Sequence, residues 1–437
     1  MKELRKEKLE NIEQEYRKEI SYTIARRALA KNRISDLVRV NEQTENTRNM
    51  FSIDLKTLPV TNQERSGRCW IFAGCNIIRE KIAKKYNLKD FELSQNYIAF
   101  YDKLEKCNYL LESIISLKEK ERDDRTLDHL LSEGIRDGGQ WDMFVNIISK
   151  YGLVPKDAFP ETFQSSNTNE IDTLLSKYIR KFAFEIRTNH SENIDNKKEE
   201  YMENIYKILC SCFGVPPKKF SFEYVDQDKN YNIIKDLTSM SFYQEIVQMD
   251  LNEYVSIINS PTEDKPFNKA YTVDYVGNVV EGNEILYLNV TMERLKELTI
   301  NQLKDGEPVW FGSDCHKSGD REEGIWDDTS FDIDTLFQID SKMTKGAMLD
   351  TRESAMNHAM VITGVNLDGE IPTKWKIENS WGDEKANKGY HVATDTWFTK
   401  FVYQIVVHKK YLTEEERNIL NTDKIRLKPW DPMGTLA

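Results

Sequence analysis

The stretch Asn62–Asn76, NQERSGRCWIFAGCN, decides how this chain is read. Ser66-Gly67-Arg68 has the character of a loop, and from Trp70 to about Lys85 the residues Phe72, Ile78 and Ile82 recur at helical spacing. Cys69 therefore falls at the N-terminus of a helix, where unpaired backbone N–H groups and the positive end of the dipole favour an anion. A thiol in that position is expected to have a lowered pKa and to serve as a nucleophile. Cys75, six residues on, fits the plainer description of a small buried hydrophobe.

The composition sets the frame. At 437 residues, 39% hydrophobic and 31% charged, the chain is a globular protein with a well-solvated surface and room for two or three structural units. Met1-Lys2-Glu3-Leu4-Arg5-Lys6-Glu7 contains no apolar signal core, and no apolar run is long enough to span a bilayer, so a cytoplasmic protein without a membrane partner is expected. Six cysteines in a chain of this length do not make a disulfide framework. The formal charge of −12 argues against nucleic acid as a partner. Cys210-Ser211-Cys212 and Cys315-His316 each lack a second pair at zinc-ligand spacing, so neither metal nor cofactor is expected.

Along the chain, Leu9, Ile12, Tyr16, Ile20 and Ile24 predict an amphipathic helix docked on the core. Ser94 is a candidate N-cap for the next helix, and Asp137-Gly138-Gly139-Gln140-Trp141 is a glycine break before a helical pattern over 143–151. Residues 162–261 read as polar and mostly helical, with a boundary at Gly214-Val215-Pro216-Pro217. After Pro266 short β-rich runs follow at 270–273, 285–290, 309–311, 360–363, 375–377 and 401–407. A helical half followed by a β-rich half predicts an α+β fold with a cleft between the halves.

A nucleophilic thiol needs an imidazole, and the imidazole an orienting partner. Of six histidines, His358 stands directly before the strand-like run Ala359–Val365, and a second strand-like run, Trp375-Lys376-Ile377-Glu378, ends at Asn379. Pairing those two strands antiparallel would bring Asn379 beside His358.

Taken together, these pieces resemble a known family. Ser66-Gly67-Arg68-Cys69-Trp70 is close to the papain-type signature, Gln63 stands where papain-like enzymes place the oxyanion-hole glutamine, and His358-Ala359 and Asn379-Ser380-Trp381-Gly382 are similar to the family's His and Asn segments. Ser66 replaces a cysteine that forms a disulfide in secreted members, which agrees with a reducing compartment. Cys69 and His358 stand 289 residues apart, against about 130–150 in papain-like enzymes, so roughly 150 residues are added. That enlarged layout resembles the bleomycin hydrolase and aminopeptidase C branch. The matches include Phe91-Glu92-Leu93-Ser94-Gln95, Asp137-Gly138-Gly139-Gln140-Trp141, Arg352-Glu353-Ser354-Ala355-Met356-Asn357-His358 and the closing Trp430–Ala437.

The resemblance implies a papain-like two-lobed fold with a large helical insertion. Its parts would be an N-terminal arm at 1–60, a helical lobe at 61–161, the insertion at 162–261, a β-rich lobe at 262–426 and a C-terminal arm in the cleft at 427–437. It implies a cysteine aminopeptidase acting on peptides through a thioester, with Cys69 as thiolate, His358 as imidazolium, Asn379 as orienter and Gln63 as oxyanion donor. Gly138 and Gly139 would form the edge that binds substrate backbone, Trp381 would shield the His–Asn contact, and Ala437 would meet the substrate's amino group. A homo-hexamer is implied as well. Alternatives are an oligo- or endopeptidase with the same triad, or a nucleic-acid-binding ring.

Overall fold

A computed structural model describes residues 1–42, 47–188, 193–321 and 323–437. The loop-to-helix reading of the opening stretch holds: helix α3, Cys69–Tyr86, begins at the cysteine itself, after α1 (Lys6–Lys18) and α2 (Ile20–Leu29). α3 is apolar on nearly every side, with Trp70, Ile71, Cys75 and Ile78 fully buried, because it lies between a helical layer and a sheet. The helical layer is α4 (Gln95–Ser116), capped by Ser94 as expected, with α5 (Trp141–Tyr151), α6 (Asn169–Thr188) and α7 (Ile194–Phe213).

The sheet's centre is six antiparallel strands. In chain order they are β1 (Tyr254–Ile258), β2 (Val309–Ser313), β3 (His358–Asp368), β4 (Ile371–Glu378), β5 (Tyr390–Thr394) and β6 (Val402–His408). In space they run β1-β6-β2-β3-β4-β5. Short strands extend both edges, and Ile53–Asp54 pairs with the far end of β3. One core gathers the helices around Trp70, Phe144 and Trp141. A second gathers Phe311, Trp326, Trp375, Trp397 and Phe401 behind the sheet. The α+β expectation is met, and the cleft opens where α3 meets β3.

Two expectations differ from the structure. The N-terminal stripe is not docked: α1 buries no residue and α2 only Ala25, leaving Leu9, Ile12, Ile20 and Ile24 exposed. The chain breaks at Glu19, whose extended backbone (ψ 116°) separates the two helices. The segment 162–261 is also not helical throughout. Residues 220–237 form a hairpin, in which Phe222 packs edge-on against Tyr86, Phe91 and Phe242, and Tyr254–Ile258 joins the main sheet as β1.

Candidate active site

The nucleophile loop is built before the nucleophile. The Gly67 N–H donates to Asp137 Oδ2 at 2.6 Å, and the Trp70 indole N–H donates to the Asp137 carbonyl at 2.7 Å. Asp137 is itself held by Lys103 Nζ at 2.6 Å. Although burial pushes its carboxyl up, the Lys103 ammonium and the hydrogen bonds outweigh that and hold it well below the usual carboxylate range. An ionised, buried Asp137 thus fixes both the loop carrying Cys69 and the turn that continues to Gly138 and Gly139.

On the opposite wall, the strand register delivers the other two residues. His358 is the first residue of β3, opposite Ser313, and Val361 pairs with Glu378, so Asn379 emerges from β4 beside the start of β3. Glu378 is welded to α3 by Arg79 at 3.0 Å and Asn76 at 2.9 Å, with Arg79 and Glu378 both 1% exposed. This buried pair sets the residue before Asn379 relative to the helix of Cys69.

The histidine's contacts fix its tautomer. The Ser380 N–H donates to Asn379 Oδ1 at 2.8 Å, so the amide presents its oxygen, and that oxygen lies 2.8 Å from His358 Nε2. Nε2 therefore carries the proton, and Nδ1 is left as the basic nitrogen. Trp381 stacks on the imidazole at 4.8 Å and 24°. Cys69 Sγ accepts the N–H of Ala359, the residue after His358, at 3.4 Å.

Gln63 completes the group. Its backbone N–H donates to the Ser380 carbonyl at 2.9 Å, its Oε1 accepts the Ser380 hydroxyl at 2.6 Å, and its Nε2 donates to the Ser66 carbonyl at 2.6 Å. One Nε2 hydrogen remains to face the cleft.

The expected depression of the thiol pKa is not found. Burial pushes Cys69 up to about 11, and the Ala359 and Trp70 amides offset only part of this. Burial likewise pushes His358 down to about 4, with the Asn379 hydrogen bond opposing it. Burial thus opposes the helix N-terminus at Cys69 and favours the neutral thiol and the neutral imidazole.

Gln63, Cys69, Gly138, His358, Leu436 and Ala437 line one cleft of about 530 Å³. The C-terminal segment is anchored at several points. Asp431 pairs with the buried Lys265 at 3.1 Å, Arg125 lies over the Trp430 ring at 3.8 Å, and Tyr287 donates to the Met433 carbonyl at 3.1 Å. Thr435 donates to the Met356 carbonyl at 2.8 Å. A Cβ on Gly138 would collide with the Leu436 carbonyl oxygen, so glycine here makes room for the arm. Gly139 does not border the cleft. A Cβ there would come within 2.5 Å of the Trp70 ring, so packing explains that glycine.

Sequence reasoning missed the polar support of Asn357, the residue before His358. Asn357 Nδ2 donates to Asp314 Oδ1, Ser354 donates to Asp314 Oδ2 at 2.9 Å, and Tyr403 donates to Ser354 at 2.7 Å. It also missed Ser380 as the partner of Gln63. Both links join residues from different elements, and no local pattern announces them.

Comparison with known proteins agrees with this geometry. The model of the Peptidase C1-like family matches residues 3–434. Aminopeptidase C of Lactobacillus delbrueckii subsp. lactis is 44% identical, covering 100% of this chain and 99% of the relative. Aminopeptidase C of Listeria monocytogenes is 45% identical with the same coverage. The crystal structure of pepW from Lactobacillus rhamnosis superposes with a TM-score of 0.97 at 44% identity, over 100% of this chain and 99% of that one.

Proposed function

Since the chain belongs to the Peptidase C1-like family and is a cysteine-type aminopeptidase, we propose that it removes N-terminal residues from peptides through a thioester on Cys69. The observation that carries this reading is the convergence of Cys69 and His358, with Asn379 behind the imidazole, and the arm's end in one cleft.

With burial favouring the uncharged pair, the events follow in this order. As Cys69 Sγ attacks the scissile carbonyl, its proton passes to His358 Nδ1, and the imidazolium is steadied by its Nε2–H bond to Asn379. The oxyanion is held by the free Nε2 hydrogen of Gln63 and the backbone N–H of Cys69. His358 then protonates the leaving amine, which departs as the shortened peptide. Water, deprotonated by the same imidazole, hydrolyses the thioester and restores the thiol.

The arm supplies the exopeptidase character. With Leu436 and Ala437 against Gly138, the cleft on that side of Cys69 has no room for a long N-terminal extension. A carboxylate at Ala437 would pair there with the substrate's ammonium. Six unpaired thiols support a reducing, cytoplasmic location. The exposed stripe Leu9, Ile12, Ile20 and Ile24 supports burial in a homo-hexamer, which sedimentation would detect. Matched fluorogenic peptides, one with a free amine and one acetylated, test the function. The free peptide alone is expected to be cut, with the restriction relaxed when 435–437 are removed. Equal cleavage of both by the intact chain would contradict the arm's role.

A further inference from the structure

We propose that Arg321 and His316 bind the carboxylate of a short leaving peptide, which makes di- and tripeptides favoured substrates of this enzyme. The inference rests on the aminopeptidase reading above and extends it to the other side of the scissile bond.

The arm fixes the direction of the substrate. Leu436 and Ala437 occupy the Gly138 side of Cys69, so the part of the substrate that leaves must run the other way, past Gln63 and toward Trp381, which stacks on His358. Those two residues share that side: the Gln63 N–H donates to the Ser380 carbonyl, and Asn62 is bridged to Trp381.

A cation stands there. The Arg321 guanidinium lies 5.2 Å from the centre of the Trp381 ring, the same ring that stacks on His358. Arg321 is exposed and makes no ion pair among the described residues. Among the described residues beside it in the chain, Asp320 and Glu323 both meet Arg39, at 2.6 Å and 3.8 Å. Held over the indole by a cation–π contact, the guanidinium offers a planar fork of donors that suits a carboxylate.

A second donor is set beside it. The Cys315 N–H donates to Asn357 Oδ1 at 3.1 Å, so the Asn357 group facing His316 Nδ1, also at 3.1 Å, is its NH₂. His316 Nδ1 accepts, and Nε2 keeps the proton as an exposed donor. Burial and Arg321 both lower the His316 pKa, so this imidazole stays neutral while it donates. Asn357 immediately precedes His358, which ties this donor to the catalytic imidazole.

Length gives the selectivity. Each extended residue advances the chain by about 3.3–3.6 Å. The His358 ring and the Arg321 Cζ lie 4.8 Å and 5.2 Å from the centre of the Trp381 ring, so at most about 10 Å separates them, the reach of no more than about three extended residues, and a longer product carries its carboxylate beyond. Every free peptide ends in a carboxylate, but only short ones place it here.

The test compares kcat/KM for a dipeptide, its C-terminal amide and an aminoacyl anilide, using the intact chain and Arg321→Gln. A charge-assisted contact is expected to give the wild type about a tenfold or greater preference for the free acid over the amide. Arg321→Gln should bring acid and amide to within about twofold of each other, leave the anilide rate unchanged, and be mimicked in part by His316→Ala. Equal use of acid and amide by the wild type, a preference that Arg321→Gln retains, or loss of anilide hydrolysis in that variant would each overturn the proposal. Anilide turnover by the wild type reports the parent reading separately: its absence refutes the peptidase chemistry, and this contact with it.

Discussion

Replacing Gln63 by Ala is the perturbation whose size the structure fixes best. Gln63 Oε1 accepts from Ser380 Oγ at 2.6 Å and one Nε2 hydrogen goes to the Ser66 carbonyl at 2.6 Å, so the amide cannot turn and its remaining hydrogen is aimed before the substrate arrives. Removing one such pre-aimed donor costs about 2.7–4 kcal/mol of transition-state stabilisation, or about 10²–10³ in kcat. Because the donor meets charge that exists only in the transition state, KM should scarcely move. Ser380→Ala removes one of the two ties and leaves the buried Oε1 unsatisfied, a cost of about 1–3 kcal/mol in stability, and by loosening the donor it should lower kcat by less than Gln63→Ala does. If Ser380 acts through Gln63, the double variant should be no slower than Gln63→Ala alone. The assay is steady-state hydrolysis of an aminoacyl anilide well below each variant's unfolding temperature. A loss under tenfold in Gln63→Ala, or a full additional Ser380 effect in that background, would refute the reasoning.

Two further outcomes follow from the same geometry. With burial pushing the Cys69 thiol up to about 11 and the His358 imidazole down to about 4, the neutral forms are favoured between those values; lowering pH through about 4 protonates the base, and raising it toward 11 ionises the thiol. The far-ultraviolet thiolate absorbance that distinguishes wild type from Cys69→Ser should therefore appear only in strong alkali, and its presence at neutral pH would show a preformed ion pair. Gly138→Ala should drive a methyl group into the arm's backbone, 3.1 Å from the Ala437 carbonyl carbon. It should lower stability by about 1–3 kcal/mol and admit acetylated peptides, and unchanged melting with unchanged exclusion would contradict the arm's placement.

The residues that announce the site are those whose role begins locally. Cys69 was legible because a Ser-Gly-Arg loop meets an apolar helix there, and His358 and Asn379 because strand patterns end on them. The helix N-terminus is a local feature and favours the thiolate, whereas the burial that pushes the thiol up exists only in the packed fold, where Ala359, 290 positions on, reaches Cys69. The hairpin at 220–237 was hidden in a polar segment, although Phe220-Ser221-Phe222-Glu223-Tyr224 alternates with period two, the signature of a strand. Tyr254–Ile258 offered only five residues, and its place beside β6 is a matter of topology. The exposed stripe of α1 and α2 shows the converse: amphipathic spacing tells that a face is apolar, not what covers it.

The central claim is that a substrate with a free amino terminus acylates Cys69. Its most direct test is acid quenching of the enzyme within one turnover of such a peptide, followed by mass spectrometry of the intact chain and of the fragment carrying Cys69. The account expects that fragment to gain the mass of the substrate's first residue as an acyl group, with no gain from the acetylated peptide or in Cys69→Ala. A chain that turns over the peptide with Cys69 unmodified, or with the adduct on another residue, would contradict it.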